Sequence, residues 1–200
     1  MLIVLCTDAI TYANESIKES LIESLKKLNE QGIDILFVTN GSKPIWFDSS
    51  FQGTNIKFVQ AGFFSTARQQ SNFLPAVADY YKIQTYEIIV LAVKPEDLQM
   101  GKNGKGVVVE AGWIKNRHIQ GKGIKATTPD DFVRIIQLVS TWTGGWYWVA
   151  NQEKFSIQVL SDLSSHNKPI KQRTFSKFLT KIVKEGGPTL NSILATTSQS

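Results

Sequence analysis

Acidic and hydroxyl side chains follow three apolar segments of the sequence, at the points where strands of a sheet would end. Asp8 follows the apolar residues 2–6, Thr39 follows the second segment, and Glu96 and Asp97 follow the third. Carboxylate oxygens can hold Mg²⁺ or transfer protons, and a hydroxyl can donate a hydrogen bond to an anion. Asp8, Asp97 and Glu96 are therefore candidates for a weak metal site, and ordinary loop acids are an equally good interpretation of the same pattern.

The apolar segments and the helical patterns between them predict an α/β fold with a doubly wound parallel sheet. Residues 2–6 and 33–38 are continuous apolar runs, as in strands that are buried on both faces. Residues 14–31 between them have helical spacing, with Asn14 as the N-cap and Gly32 at the end. Further strands are predicted at 57–59, 87–93 and 106–110, and further helices at 66–81 and 129–140.

Ligands of doubly wound folds bind at the carboxyl ends of the strands, where the strand order reverses. The segments that should line such a site are residues 6–12, 39–44 and 92–97. After residue 140 the pattern changes, so we expect an α/β core over residues 1–140 and a small α+β appendage over 141–200.

The strand ends resemble those of the haloacid dehalogenase-like (HAD) phosphohydrolase superfamily over about residues 1–140. They read Cys6-Thr7-Asp8 after the first strand and Thr39-Asn40-Gly41 after the second, with an acidic segment after a later strand. The resemblance implies a Rossmann-like core in which an aspartate attacks phosphorus, a second aspartate is the general acid and base, and further acids hold Mg²⁺.

The resemblance assigns roles to individual residues of this chain. Cys6 stands at the position of the nucleophile and Asp8 at that of the general acid, while Thr39 would bond a phosphoryl oxygen beside Asn40 and Gly41. Arg68 lies near the position of the family's lysine.

At the metal-binding motif the match is partial. Val93 replaces the first acid, and Asp97 matches the second acid with Glu96 beside it. The nucleophile and one metal ligand are thus both substituted, by Cys6 and Val93, and sulfur is a poor ligand for the hard Mg²⁺ ion. The resemblance therefore implies a degenerate member, a pseudoenzyme without phosphatase activity that binds a small phosphorylated ligand or a protein partner. Mg²⁺ is a possible cofactor, but none is expected.

An alternative register makes Asp8 the nucleophile and predicts a Mg²⁺-dependent phosphate monoester hydrolase with a rearranged site, which uses Asp8, Thr39 and Asp97.

A third interpretation comes from the charge distribution. Residues 1–100 hold 8 Lys/Arg and 11 Asp/Glu, whereas residues 101–200 hold 14 and 6, and the net charge is +5. A basic half can attract nucleic acid, so residues 101–184 are a candidate nucleic-acid surface.

The appendage contains three tryptophans within residues 142–148, a predicted hairpin that pairs 146–150 with 155–160, and a basic helix over residues 170–184. Exposed aromatic side chains there would favour a homodimer or another partner.

The chain has one cysteine and no apolar run of the length that a membrane span needs, and residues 1–5 include no basic residue before the apolar run. We therefore expect a cytoplasmic protein that makes no contact with membranes.

Overall fold

A six-stranded parallel sheet forms the centre of the fold, in the order β3-β2-β1-β4-β5-β6. The structure is a computed structural model and describes residues 1–11, 18–114 and 124–140. The strands are β1 (Leu2–Leu5), β2 (Asp34–Thr39), β3 (Lys57–Gln60), β4 (Ile88–Ala92), β5 (Val107–Ala111) and β6 (Ile124–Ala126). The three central strands consist mainly of apolar residues because both faces of the sheet are covered.

The described residues form five α-helices, of which the first four connect strands and the fifth follows β6, and together they cover the two faces of the sheet. They are α1 (Glu19–Glu30), α2 (Trp46–Ser50), α3 (Phe73–Tyr81), α4 (Pro95–Asn103) and α5 (Pro129–Ser140). One core layer joins α1, α2 and α5 to one face, and the second layer joins α3 and α4 to the opposite face. The predicted α/β fold with a doubly wound parallel sheet is confirmed.

The chain reverses its direction of sheet growth at β1. It proceeds from β1 to β2 and β3 on one side, then returns to place β4 on the other side of β1. Leu5 of β1 is in register with Phe37 of β2 and with Leu91 of β4. The residues that follow these three therefore emerge together at the carboxyl edge of the sheet, where doubly wound folds bind their ligands.

Several element boundaries differ from those that the sequence predicted. Helix α1 begins at Glu19, after the predicted start, and the predicted N-cap Asn14 lies outside the described residues. The helix predicted over 66–81 is limited to α3, because residues 65–72 form turns and bends before it. Helices α2 and α4 and strand β6 were not predicted. Helix α2 is held by tertiary packing, since Phe47 contacts the ring of Phe37 at a centroid distance of 5.2 Å.

The predicted appendage over residues 141–200 lies outside the described residues, as do the tryptophan hairpin and the basic helix assigned to it. Within the described residues, no helix combines the length and apolar character that crossing a bilayer requires.

Helix α4 packs against the sheet at a glycine. A Cβ atom on Gly101 would overlap Cγ2 of Val108 and lie 3.4 Å from Cβ of Val90. Val90 is in β4 and Val108 is in β5, so this close approach fixes the distance of α4 from the two strands. The same helix begins at the carboxyl edge of the sheet. Its packing at Gly101 therefore helps to position its first turn, which includes Asp97, at that edge.

We expect Gly101→Ala to lower the free energy of unfolding by about 1–3 kcal/mol, because the added methyl group overpacks a close helix–sheet contact. Urea denaturation monitored by circular dichroism would measure the change. Gly62→Ala is the matched control, since a Cβ at Gly62 meets no atom within 4 Å. Equal unfolding midpoints for the two variants would show that α4 does not rest on the sheet at Gly101.

Candidate functional site

Five polar side chains from three segments converge at the carboxyl edge, beside the ends of β1 and β4. We call this group the charge cluster. Its members are Cys6 and Asp8 after β1, Arg68 in the loop between β3 and α3, and Lys94 and Asp97 at the start of α4.

The carboxylate of Asp97 closes the first turn of α4. Lys94 is the N-cap of the helix and Pro95 is its first residue. Asp97 Oδ2 accepts hydrogen bonds from the backbone N–H of Val93 at 3.0 Å and of Lys94 at 2.9 Å. A helix N-terminus leaves such donors unpaired, so an acid in the first turn both satisfies them and interacts favourably with the helix dipole. The local sequence thereby fixes the orientation of a fully buried carboxylate.

Arg68 pairs with the other oxygen of the same carboxylate. Its Nη1 lies 2.8 Å from Asp97 Oδ1, and the two side chains are 7% and 0% exposed. Among the described residues, Nη1 and Nε of Arg68 and Oδ1 of Asp97 have no hydrogen-bond partner, so the contact is an ion pair without hydrogen-bond alignment. Burial lowers the pKa of Arg68, but Asp97, Cys6 and Asp8 together raise it by more, and the net shift is upward. Burial raises the pKa of the Asp97 carboxyl, an effect that Arg68 and the two amides oppose.

The thiol of Cys6 lies between the two acids of the cluster. Its Sγ donates to Asp8 Oδ2 at 3.3 Å and is 3.7 Å from Asp97 Oδ2. Burial raises the pKa of this thiol far above its ordinary value, and the negative charges of Asp97 and Asp8 raise it further. The thiol therefore remains protonated at neutral pH, and a protonated thiol is a poor nucleophile.

Asp8 forms the outer part of the cluster with Lys94. The Lys94 Nζ atom lies 2.7 Å from Asp8 Oδ2, and the two side chains are 39% and 30% exposed. Burial lowers the pKa of Lys94, but the hydrogen bond to Asp8 and its charge outweigh burial, so the pKa is raised. Lys94 is consequently a cation at neutral pH, and it is the member of the cluster most open to solvent.

The remaining predicted residues lie at the same edge without joining the cluster. Thr39 ends β2, next to β1 in the sheet, and its Oγ1 accepts a hydrogen bond from the N–H of Gly41 at 3.2 Å. Asn40 and Gly41 are exposed, and Glu96 is half-buried in the first turn of α4.

The sequence analysis identified Arg68 only approximately and did not identify Lys94 as a site residue. Arg68 was assigned only approximately, and the structure brings it to Asp97. Lys94 was not predicted as a site residue, although it lies within the predicted segment 92–97 and directly follows the apolar run of β4. A basic residue between a buried strand and an acidic helix start was the signal that could have identified it.

The arrangement does not fit the Mg²⁺ ion that the family resemblance implies. Mg²⁺ requires several oxygen ligands in octahedral geometry. Both oxygens of Asp97 face donors or a cation already, and Lys94 is paired with Asp8. Within the described residues, no group of three or more His, Cys, Asp and Glu side chains could hold a metal ion. Asp8 and Asp97 are therefore placed as partners of protein groups and not as metal ligands.

The basic surface predicted over residues 101–184 falls mostly outside the described residues, which exclude 115–123 and 141–200. Lys102 lies in the last turn of α4, and Lys105 follows in the turn before β5 with a left-handed backbone conformation (φ 60°). Both side chains are exposed. The nucleic-acid interpretation stays a prediction.

Neither a protein-family model nor a curated protein matches this sequence. Among solved structures, the chain is similar to one from Streptomyces avermitilis MA-4680, whose description assigns it provisionally to the HAD family of hydrolases. The two chains are 14% identical, with a TM-score of 0.42, and the match covers 54% of this chain and 66% of the other. This chain thus spans just under two thirds of the length of that protein.

We expect Asp97→Ala to destabilise the protein by about 3–5 kcal/mol, because it leaves the buried Arg68 cation without its partner. Asp8→Ala is the matched control: it removes the partly exposed partner of Lys94 and should cost less than about 1 kcal/mol. Urea unfolding midpoints of the two variants would measure the difference. Similar losses of stability in both would contradict the distinction between an inner and an outer ion pair.

We expect Cys6 to resist thiol-specific reagents in the folded protein, because its sulfur is buried and protonated. Labelling followed spectroscopically at pH 7 and pH 9 should be slow at both values and become fast in denaturant. Labelling of the native protein at the rate of a free cysteine would show that Cys6 is exposed as a thiolate.

Proposed function

We propose that this protein does not hydrolyse phosphate esters and acts by binding a small phosphorylated ligand at the carboxyl edge of its sheet. The observation that carries the proposal is the state of Cys6, a buried thiol held between two carboxylates at the end of the central strand.

The first support is the inactive thiol of Cys6, the residue at the position of the family's nucleophile. Attack on phosphorus needs an electron pair on the attacking atom, and a thiol with a raised pKa keeps that pair bonded to its proton. The neighbouring carboxylates strengthen this effect because they disfavour a third negative charge. Asp97 is unsuitable as an alternative nucleophile, since it is fully buried and its oxygens face Arg68 and two amides.

The second support is the exposed cation of the charge cluster. Lys94 is 39% exposed and lies at the N-terminus of α4, and both features favour an incoming anion. Thr39 ends the neighbouring strand, where its hydroxyl group could donate to a phosphoryl oxygen. Asp8 competes with the ligand, because it neutralises Lys94 and repels other anions.

The absence of hydrolysis can be tested with a broad panel of phosphate esters, each assayed with and without Mg²⁺, for the wild type and Asp8→Asn. We expect no turnover above background from either protein. Mg²⁺-dependent turnover that Asp8→Asn abolishes would contradict the proposal and support the rearranged hydrolase site that uses Asp8.

Ligand binding can be tested separately by calorimetry and thermal shift with small phosphorylated compounds, inorganic phosphate included. Lys94→Met should weaken binding at least about tenfold, a change of about 1.4 kcal/mol. Lys102→Met is the control, because Lys102 is an exposed lysine in the last turn of the same helix and should have no effect. Asp8→Asn should tighten binding, since it removes the acid that opposes the anion.

Two results would contradict this ligand assignment. The first is binding that Lys94→Met and Lys102→Met weaken equally, which would indicate general attraction to a basic surface. The second is no binding of any phosphorylated compound, which would favour a protein partner. A steep loss of affinity for oligonucleotides with rising salt would instead support the nucleic-acid interpretation.

A further inference from the structure

We propose that Arg68 and Lys94 together take the place of a divalent cation, so that the carboxyl edge of the sheet is complete without a metal ion. The inference rests on the proposed function only in locating the functional site at this edge. It concerns which charge balances the acids and not whether hydrolysis occurs.

The charges of the cluster already balance. Asp8 and Asp97 contribute two negative charges, and each lies within 3 Å of a cation: 2.7 Å from Lys94 Nζ and 2.8 Å from Arg68 Nη1, respectively. A divalent ion placed among them would add two positive charges without a further acid to neutralise them. Such an excess of charge is unfavourable at a largely buried position.

Entry of a metal would also require Arg68 to leave. Asp97 Oδ2 is fixed by two backbone amides, so Oδ1 is the oxygen through which a metal would bind, and Arg68 lies against it. The Arg68 side chain is 7% exposed, and its displacement would leave a buried cation without its partner. The guanidinium therefore competes directly with any cation for the same oxygen.

Cys6 and Val93, which the family resemblance places at ligand positions, offer no side-chain oxygen to a metal. Cys6 presents a protonated sulfur toward both acids, and sulfur suits softer metals than Mg²⁺. Val93 contributes a backbone N–H to Asp97 and has an apolar, fully buried side chain. A soft donor, an apolar residue and two internal cations thus occur together where a divalent ion would need hard, negative ligands.

The experiment is a titration with Mn²⁺, a spectroscopic substitute for Mg²⁺, followed by electron paramagnetic resonance and by the melting temperature. For the wild type we expect no binding at millimolar Mn²⁺ and no change in Tm with Mn²⁺, Mg²⁺ or EDTA. Saturable binding to the wild type that Asp97→Asn abolishes would overturn the proposal.

Replacement of Arg68 by a neutral residue should create a metal site at Asp97. We expect Arg68→Ala to have a lowered Tm that Mn²⁺ or Mg²⁺ partly restores, because a divalent ion can then neutralise Asp97. Arg134→Ala is the control, since Arg134 is 61% exposed in α5 and lies 3.8 Å from Asp131, outside the charge cluster. Its Tm should not respond to metal.

A second variant strengthens the comparison. Cys6→Asp in the Arg68→Ala background adds a carboxylate beside Asp8 and Asp97, and should raise the Mn²⁺ affinity at least about tenfold over Arg68→Ala alone. An Arg68→Ala protein that folds and gains no Mn²⁺ response would overturn the proposal. If Arg68→Ala does not fold, the wild-type titration decides the question by itself.

These outcomes are separable from those of the hydrolysis assay. A wild type that binds Mn²⁺ through Asp97 but hydrolyses nothing would overturn this inference and leave the proposed function intact. A wild type that hydrolyses phosphate esters equally well in EDTA would overturn the proposed function and support internal cations at the site.

Discussion

The buried ion pair between Arg68 and Asp97 is the interaction on which the carboxyl edge of the sheet depends. It connects the loop after β3 with the start of α4, two segments whose strands are separated by β2 and β1 in the sheet. A buried pair gains little net free energy over apolar packing, but loss of one partner is costly. The pair therefore acts mainly as a constraint: each partner must be present for the other to be tolerated, and both segments are held against the end of β1.

A self-balanced set of charges changes what the edge can do. In a metal-dependent site, the ion supplies charge that appears on binding and disappears on release, and the protein supplies uncompensated acids. Here the positive charge is covalently attached to the chain and permanently present. Binding of an anion would therefore be an exchange, in which a ligand replaces Asp8 as the partner of Lys94, and affinity would depend on how well the ligand competes with that acid.

The sequence predicted the layers of the fold better than the contacts within the site. Continuous apolar runs identify buried parallel strands, and acids at their ends identify Asp8 and Asp97 as residues of one edge. The pairing of Arg68 with Asp97 depends on the path of a loop that has no periodic pattern. Helix α2 depends on rings from other elements, and α4 is short and largely polar. Such features are determined by tertiary packing, which local spacing does not encode.

The position of β1 has a consequence for motion at this edge. The strand has neighbours on both sides, and its side chains are fully buried, so its amide hydrogens should exchange with solvent only when the sheet as a whole opens. Arg68 instead belongs to a loop whose neighbouring residues are largely exposed. The cluster thus joins a strand whose amides should exchange slowly to a segment able to open locally, and fluctuations that uncover Asp97 should begin on the Arg68 side.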